Sequence, residues 1–346
     1  VAVMKKIFRV YPYLFSLAFF AILVVPLRGL NFNPHEIDEG FYGRARLIAI
    51  AANFRLRIGD RVFPKVLVGE NHWLVFTGEN GMDEYQNVMP LSDSALQKMQ
   101  EDIDAVYEEY AARGIYLLIV IPPNKNTIYP EYIPEEIPVL GDESRLEQFL
   151  SYMSEHGRTP ILDLRPVLME GKKTQQVYYA TDTHWNDYGA FLAYQEMMKS
   201  LSAAYPAIQP HSFSDFEVNV SDPKPLDLTR NMGATIWREP KISLLPRFET
   251  RARYKEVHVE GRKITYAFTG DDSLPNAVIY HDSFFFRMIP LLSEHFNRAV
   301  YIPNYLNRTL WSLSWVDEED ADVVIVEFTE RYLADLNRLL SLPDSP

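Results

Sequence analysis

Apolar residues recur along this chain with two different periods. Between Leu91 and Arg113, the positions Leu96, Met99, Ile103, Val106, Tyr107 and Tyr110 follow the spacing of one helix face. Ser92 or Asp93 can cap that helix and Gly114 ends it. The run Ile115–Ile121 is then apolar without interruption, as in an interior parallel strand covered on both faces. The alternation repeats with a helix over Asp142–His156, a stop at Gly157 and a short strand over Thr159–Leu164. Further on, helical spacing over Tyr188–Leu201 precedes strands at Ala277–Tyr280, Ala299–Ile302 and Ala321–Val326. Helices are predicted over Phe286–Asn297 and Glu330–Leu340. Strands alternating with helices predict an α/β fold with a central parallel sheet.

Two stretches depart from this pattern. Near the start, Phe41–Phe54 has the spacing of an amphipathic helix, and Val66–Gly81 reads as two short strands around a polar turn. That turn holds His72 and Trp73, read as a structural hairpin pair. The segment His211–Tyr266 is irregular and polar, with Pro223, Pro225, Pro240 and Pro246. Two strand-like runs, Lys255–Glu260 and Lys263–Phe268, place it as an excursion from the sheet that covers the site.

Val10–Leu27 carries no charge and follows Lys5, Lys6 and Arg9. Such a run is long enough to cross much of a bilayer, and the basic flank predicts a cytoplasmic amino terminus. No Ala-x-Ala cleavage site follows it, which favours a single-pass anchor over a removed signal. The expected organisation is a cytoplasmic stub and anchor over 1–30, a linker with an amphipathic helix over 31–65, and a catalytic domain over 66–346. A polar insertion falls at about 205–270, and the catalytic domain is expected to be extracytoplasmic, in the periplasm or at the cell surface.

Composition narrows the function. The 346 residues are 47% hydrophobic and include 21 Tyr and 20 Phe, which supports a packed core rather than disorder. A formal charge of -13 with no basic stripe disfavours nucleic acid as a partner. The chain has no cysteine, which excludes disulfides and thiol nucleophiles. A Gly-rich phosphate loop, a dinucleotide fingerprint and a Gly-x-Ser-x-Gly elbow are all absent, so no cofactor is expected.

The chemistry concentrates in two blocks. Tyr178-Tyr-Ala-Thr-Asp-Thr-His-Trp-Asn-Asp-Tyr-Gly-Ala190 places Asp182 and His184 two residues apart just before a helix. Ala277-Val-Ile-Tyr-His-Asp-Ser-Phe284 is a buried strand ending at Ser283. An acid, an imidazole and a hydroxyl are the parts of a nucleophilic serine system: Asp182 orients His184, and His184 serves as base for Ser283. Other readings stay open. Ser283 could simply cap a helix, Asp182 and His184 could tie a loop down, or both could join His281 and Asp282 as metal ligands. Asn124 and Lys125, which follow a strand, and Phe284 beside the serine are candidates for substrate or oxyanion contact.

Thr181-Asp-Thr-His-Trp-Asn-Asp-Tyr-Gly-Ala190 together with Tyr280-His-Asp-Ser-Phe284 resembles the SGNH-hydrolase-like proteins of bacterial polysaccharide O-acetylation, the alginate acetylation group and its relatives. Gly69-Glu-Asn-His-Trp-Leu-Val-Phe76, Ile121–Pro130 and Glu327–Leu333 support the likeness, which runs from about Gly69 to Leu333. The resemblance implies an SGNH-like sheet flanked by helices, here preceded by a transmembrane helix. It makes Ser283 the nucleophile, His184 the base and Asp182 the acid, in an order permuted from ordinary SGNH esterases. It further implies acetyl transfer to a polysaccharide hydroxyl, with a membrane-bound O-acyltransferase as partner. Deacetylation by the same triad and a non-catalytic scaffold for that acyltransferase are the alternatives. His281-Asp282-Ser283 replaces the usual Gly-Asp-Ser form, a departure that bears on the oxyanion geometry.

Overall fold

The structure, a computed structural model, describes residues 16–17, 19–21, 43–259, 261–303 and 313–335. In chain order the strands are β1 (Val62–Phe63), β2 (Val66–Val68), β3 (Leu74–Phe76), β4 (Tyr116–Ile121), β5 (Ile161–Asp163) and β6 (Phe216–Val220). They continue as β7 (Ile242–Pro246), β8 (Arg253–Val259), β9 (Arg262–Phe268), β10 (Asn276–His281), β11 (Arg298–Pro303) and β12 (Val323–Glu327). The main sheet runs β5-β4-β12-β10-β11-β9-β8. Its first five strands are parallel, and β9 and β8 extend it as an antiparallel edge. β1–β3 form a small antiparallel sheet, and β6 pairs with β7 as a separate ribbon.

Uninterrupted apolar strands are buried on both faces because successive side chains point to opposite sides. Leu118, Val120, Ile279, Tyr301 and Ile325 share one face with the helix Asp187–Ala204. Ile119, Ile121, Val278, Tyr280 and Val324 share the other with the helices Asp93–Ala112 and Arg145–His156. Side chains cap these helices where the sequence offers them. Ser92 Oγ accepts the Ala95 N–H at 3.2 Å, and Ser144 and Glu147 form a reciprocal capping box.

Four expectations are corrected. Among the described residues no helix is long and apolar enough to cross a membrane. This overturns the expected single-pass anchor over residues 10–27, and with it the transmembrane part of the fold and the sided membrane localisation. A span needs about 20 mostly apolar residues. Only residues 16–17 and 19–21 of that stretch are described, and the remainder lies outside the described residues. The long described helices, Asp93–Ala112 and Asp187–Ala204, carry charges and bury one face in the core.

The strand-like runs after residue 250 do not cover the site. They are β8 and β9, and they join the main sheet, where Ala267 pairs with Ala299 of β11. The helix expected over Phe286–Asn297 is broken into a turn at Ser283–Arg287, a short helix Ile289–Leu292 and a further turn Ser293–His295. Pro290 lacks an N–H and is accommodated only in the first turn of a helix, so the pieces cannot fuse. At the far end, Glu330–Asp335 is a tight 3-10 turn, and residues 336–340 of the expected helix lie outside the described residues.

Candidate active site

The parallel strands β10, β4 and β12 end at one edge of the sheet, and the residues following each of them meet there. Ser283 follows β10, Asn124 and Lys125 follow β4, and Glu330 and Arg331 follow β12. The loop 178–186 comes from elsewhere and folds over this edge. Tyr178 and Trp185 close it as a β-bridge, and Asn186 caps the helix after it by accepting the Gly189 N–H at 2.9 Å. Only glycine fits at 189: a Cβ there would lie 2.3 Å from the Val177 carbonyl oxygen.

The structure brings Asp182, His184 and Ser283 together. His184 Nδ1 lies 2.7 Å from Asp182 Oδ1, and its Nε2 lies 2.7 Å from Ser283 Oγ. Asp182 Oδ1 also accepts the His184 main-chain N–H at 3.1 Å. Burial works against the charged form of Asp182. The hydrogen bond and charge of His184 nonetheless hold its carboxyl well below the usual range, with help from Arg287. An ionised Asp182 orders the imidazole with its proton on Nδ1, leaving Nε2 free to accept from the serine.

The turn bearing Ser283 is held by carboxylates rather than by glycine. Asp282 accepts the Phe284 N–H at 2.8 Å through Oδ1, and the Thr329 N–H and hydroxyl through Oδ2. The Asp282 N–H in turn donates to Glu327 Oε2 at 2.8 Å. His281 is buried, donates from Nδ1 to the Asp282 carbonyl at 2.7 Å, and is pushed by burial down to about 4. His281 and Asp282 are thus committed elsewhere, and the metal set combining them with Asp182 and His184 is not assembled. Among the described residues the grouping with potential ligand atoms close together is Asp182, His184 and Asp227. Both ring nitrogens of His184 in that group are already engaged by Asp182 and Ser283.

The remaining candidates have distinct surroundings. Lys125 is buried, and its ammonium donates to the carbonyls of Tyr179, Ala180 and Asp182 at 3.2, 3.0 and 2.7 Å. Its donors are spent on the loop's main chain, so it holds the loop rather than a substrate. The Phe284 ring packs on His184 with centroids 4.9 Å apart, and its N–H belongs to Asp282 and is closed to an oxyanion. The Ser283 N–H has no hydrogen-bond partner among the described residues. Asn124 is fixed by its N–H to Glu330 at 2.8 Å and by Arg331, which donates to its Oδ1 at 3.0 Å. The side-chain nitrogen of Asn124 has no partner among the described residues, and the residue lines a small cavity with Thr183 and Arg331.

Two acids that sequence reasoning passed over complete the loop's anchorage. Glu239 accepts the N–H groups of Ala180 and Thr181 at 3.0 and 2.9 Å, and the Thr181 hydroxyl at 2.9 Å. Asp227 accepts the Thr183 N–H at 2.8 Å, and its other oxygen lies 3.8 Å from His184 Nδ1. Burial raises the Asp227 carboxyl, and the neighbouring Asp182 charge adds to the effect. Both acids lie in the polar stretch 205–270, where no periodicity or motif spacing ties them to the loop.

Comparison with known proteins identifies a family and related folds. A family model described as SGNH hydrolase-like domain, acetyltransferase AlgX, matches residues 66–272, which include Asp182 and His184 and stop before Ser283. The chain is similar to the probable alginate O-acetylase AlgJ of Pseudomonas fluorescens, with 26% identity over 288 residues, 78% of this chain and 68% of that one. Bacillus cereus PatB1, solved with a sulfonyl adduct, superposes with a TM-score of 0.57 at 14% identity, over 78% of this chain and 94% of that one. The O-acetyltransferase domain of Pseudomonas putida AlgJ gives a TM-score of 0.51 at 21% identity, over 78% and 92% of the two chains. At these identities the two structures speak for the fold.

Proposed function

This chain belongs to the AlgX-type SGNH hydrolase-like acetyltransferase family, and from that footing we propose that it moves an acetyl group through an acyl-serine on Ser283 to a hydroxyl of a polysaccharide. The observation that carries the reading is the relay from Asp182 through His184 to Ser283, with both contacts at 2.7 Å. The serine-type enzymatic character follows from the family. The polysaccharide acceptor draws on the relatives' names.

His184 Nε2 takes the Ser283 proton as Oγ bonds to the carbonyl carbon of an acetyl ester or thioester. The Ser283 N–H and the Asn124 side-chain amide are the donors that serve the oxyanion, and in a well-studied serine enzyme one such donor is worth roughly 3–4 kcal/mol. Collapse breaks the donor's ester bond, and His184 hands its proton to the leaving group. The sugar hydroxyl then loses its proton to Nε2 and attacks the acyl-serine, and Ser283 leaves with that proton. Asp182 balances the imidazolium charge in both halves, and Asp227 adds a second carboxylate nearby. A partner acyltransferase supplies the acetyl donor.

Mass spectrometry of the purified chain with an activated acetyl ester tests this. An acetyl adduct on Ser283 that moves to added glycan supports transfer, and one lost to water alone points to the deacetylase alternative. Undiminished adduct and turnover in Ser283→Ala would remove the serine mechanism.

A further inference from the structure

The turn between β2 and β3, which the catalytic reading leaves unused, forms one wall of a surface cleft of about 460 Å³. Asp60, Arg61, Glu70, Asn71, His72 and Trp237 are among the residues that line it. The size falls within the range of small-molecule sites, roughly 300–1,000 Å³. The His72 and Trp237 rings pack against each other in its lining, with centroids 4.7 Å apart and planes at 37°. Trp237 is partly buried against the small core around Phe63 and Leu74, so its ring is braced. Asn71 and His72 both adopt left-handed backbone, φ 51° and 65°, a conformation non-glycine residues rarely take. The turn keeps that conformation while presenting His72 to the tryptophan, as strained turns at ligand sites do.

Charge limits what fits. Arg61 pairs with Glu70 at 2.7 Å, and Asp60 with Arg55, a residue outside the lining, at 2.6 Å, so each charged group of the cleft already has a partner. A charged ligand competes with these pairs. A neutral molecule with hydroxyls around an apolar face does not, because aromatic rings take its face and the paired polar groups its rim. That description is a sugar ring.

The cleft also leads to the catalytic loop at two points of its lining. Two residues after His72, the Leu74 N–H donates to the Ala180 carbonyl at 2.8 Å. Two residues after Trp237, Glu239 holds the N–H groups of Ala180 and Thr181. Two residues of chain reach at most about 7 Å, so the lining runs directly into the segment that carries Asp182 and His184. We propose that this cleft is a subsite for a neutral sugar unit of the acceptor polysaccharide, distant from the hydroxyl that reacts. The proposal rests on the polysaccharide reading above. Binding a remote unit places the reacting one, which helps the sugar hydroxyl compete with water.

The test is calorimetric titration of the full chain with short and long cello-oligosaccharides, and with oligogalacturonides of matched length as charged probes. Long neutral chains are expected to bind more tightly than short ones. Trp237→Ala should erase that length advantage, an affinity loss of about tenfold or more. His72→Ala, a change at an exposed side chain, should reduce it in the same direction and covers the case in which the tryptophan variant does not fold. Unchanged long-chain affinity in both variants overturns the proposal, as does equal or tighter binding of the oligogalacturonides by the same residues. Failure of the wild-type protein to form an acetyl adduct on Ser283 would strike the catalytic reading alone, because the titration decides the cleft without turnover.

Discussion

Replacing Lys125 by Met would remove the charge that holds the catalytic loop while nearly keeping the side chain's volume. Two opposing magnitudes decide the outcome. The ammonium donates to three carbonyls, those of Tyr179, Ala180 and Asp182, and hydrogen bonds to charged groups contribute about 1.5–3 kcal/mol each. The gross loss is therefore on the order of 5–9 kcal/mol. Against this, burial disfavours the charged form and pushes Lys125 from 10.5 down to about 8, despite the carboxylates of Asp227, Asp182 and Glu239. At about 1.4 kcal/mol per pKa unit, methionine recovers roughly 3 kcal/mol of that cost. The bonds win, and Lys125→Met should destabilise the fold by about 2–6 kcal/mol. His184 sits two residues past the last of these carbonyls, so the acylation rate should fall as well. A displacement of about 1 Å at a reacting group costs about a hundredfold. Urea unfolding followed by tryptophan fluorescence reads the first effect, and single-turnover acylation of Ser283 reads the second. A variant within about 0.5 kcal/mol of wild type that acylates at full rate would show that the loop does not depend on the ammonium.

The other predictions concern acids around the same edge. Asp227→Asn keeps an acceptor for the Thr183 N–H and removes the second carboxylate from His184 Nδ1. Acylation should slow by roughly ten- to a hundredfold, about 1.4–2.7 kcal/mol, and an unchanged burst rate would leave Asp182 as the sole acid in service. Glu327 is buried beside the Asp282 carboxylate, and burial foremost raises its carboxyl well above the usual range. Its stabilising protonated form is fully present below the ordinary Glu range, and stability is lost as pH rises through the raised value. The wild-type urea midpoint should therefore decline with rising pH, and Glu327→Gln should flatten that decline while still accepting the Asp282 N–H. Parallel pH curves for the two proteins would refute this.

Local chemistry made much of this protein legible in its sequence. The apolar runs at β4, β10, β11 and β12 could lie only in a sheet covered on both faces, since each contains adjacent residues that point to opposite sides. Asp182 and His184 announced themselves because two residues in a short loop can meet without help from the rest of the chain. Ser92, the candidate cap of the helix Asp93–Ala112, did so for the same reason. Where a feature depended on neighbours distant in sequence, pattern misled or was silent. The alternating strands after residue 250 have the same periodicity whether they cover a site or extend a sheet, and only hydrogen bonding of β9 to β11 decided for the sheet. The apolar stretch near the start satisfied a length and charge rule, yet among the described residues no membrane-crossing helix exists.

Tertiary structure alone decided which groups face one another. Ser283 reaches His184 across 99 positions because β10 ends at the sheet edge over which the loop folds. Lys125 follows a strand in a manner that suits a substrate contact, but the same edge turns it onto three loop carbonyls. Asp227 and Glu239 lie in an irregular polar stretch where an acid usually meets water. They become anchors only because folding sets them against main-chain N–H groups of the loop. Periodicity records how a residue relates to its own element. Hydrogen-bond partners from other elements are chosen by how the sheet and its loops close, and a lone acid carries no trace of that choice in its flanking sequence.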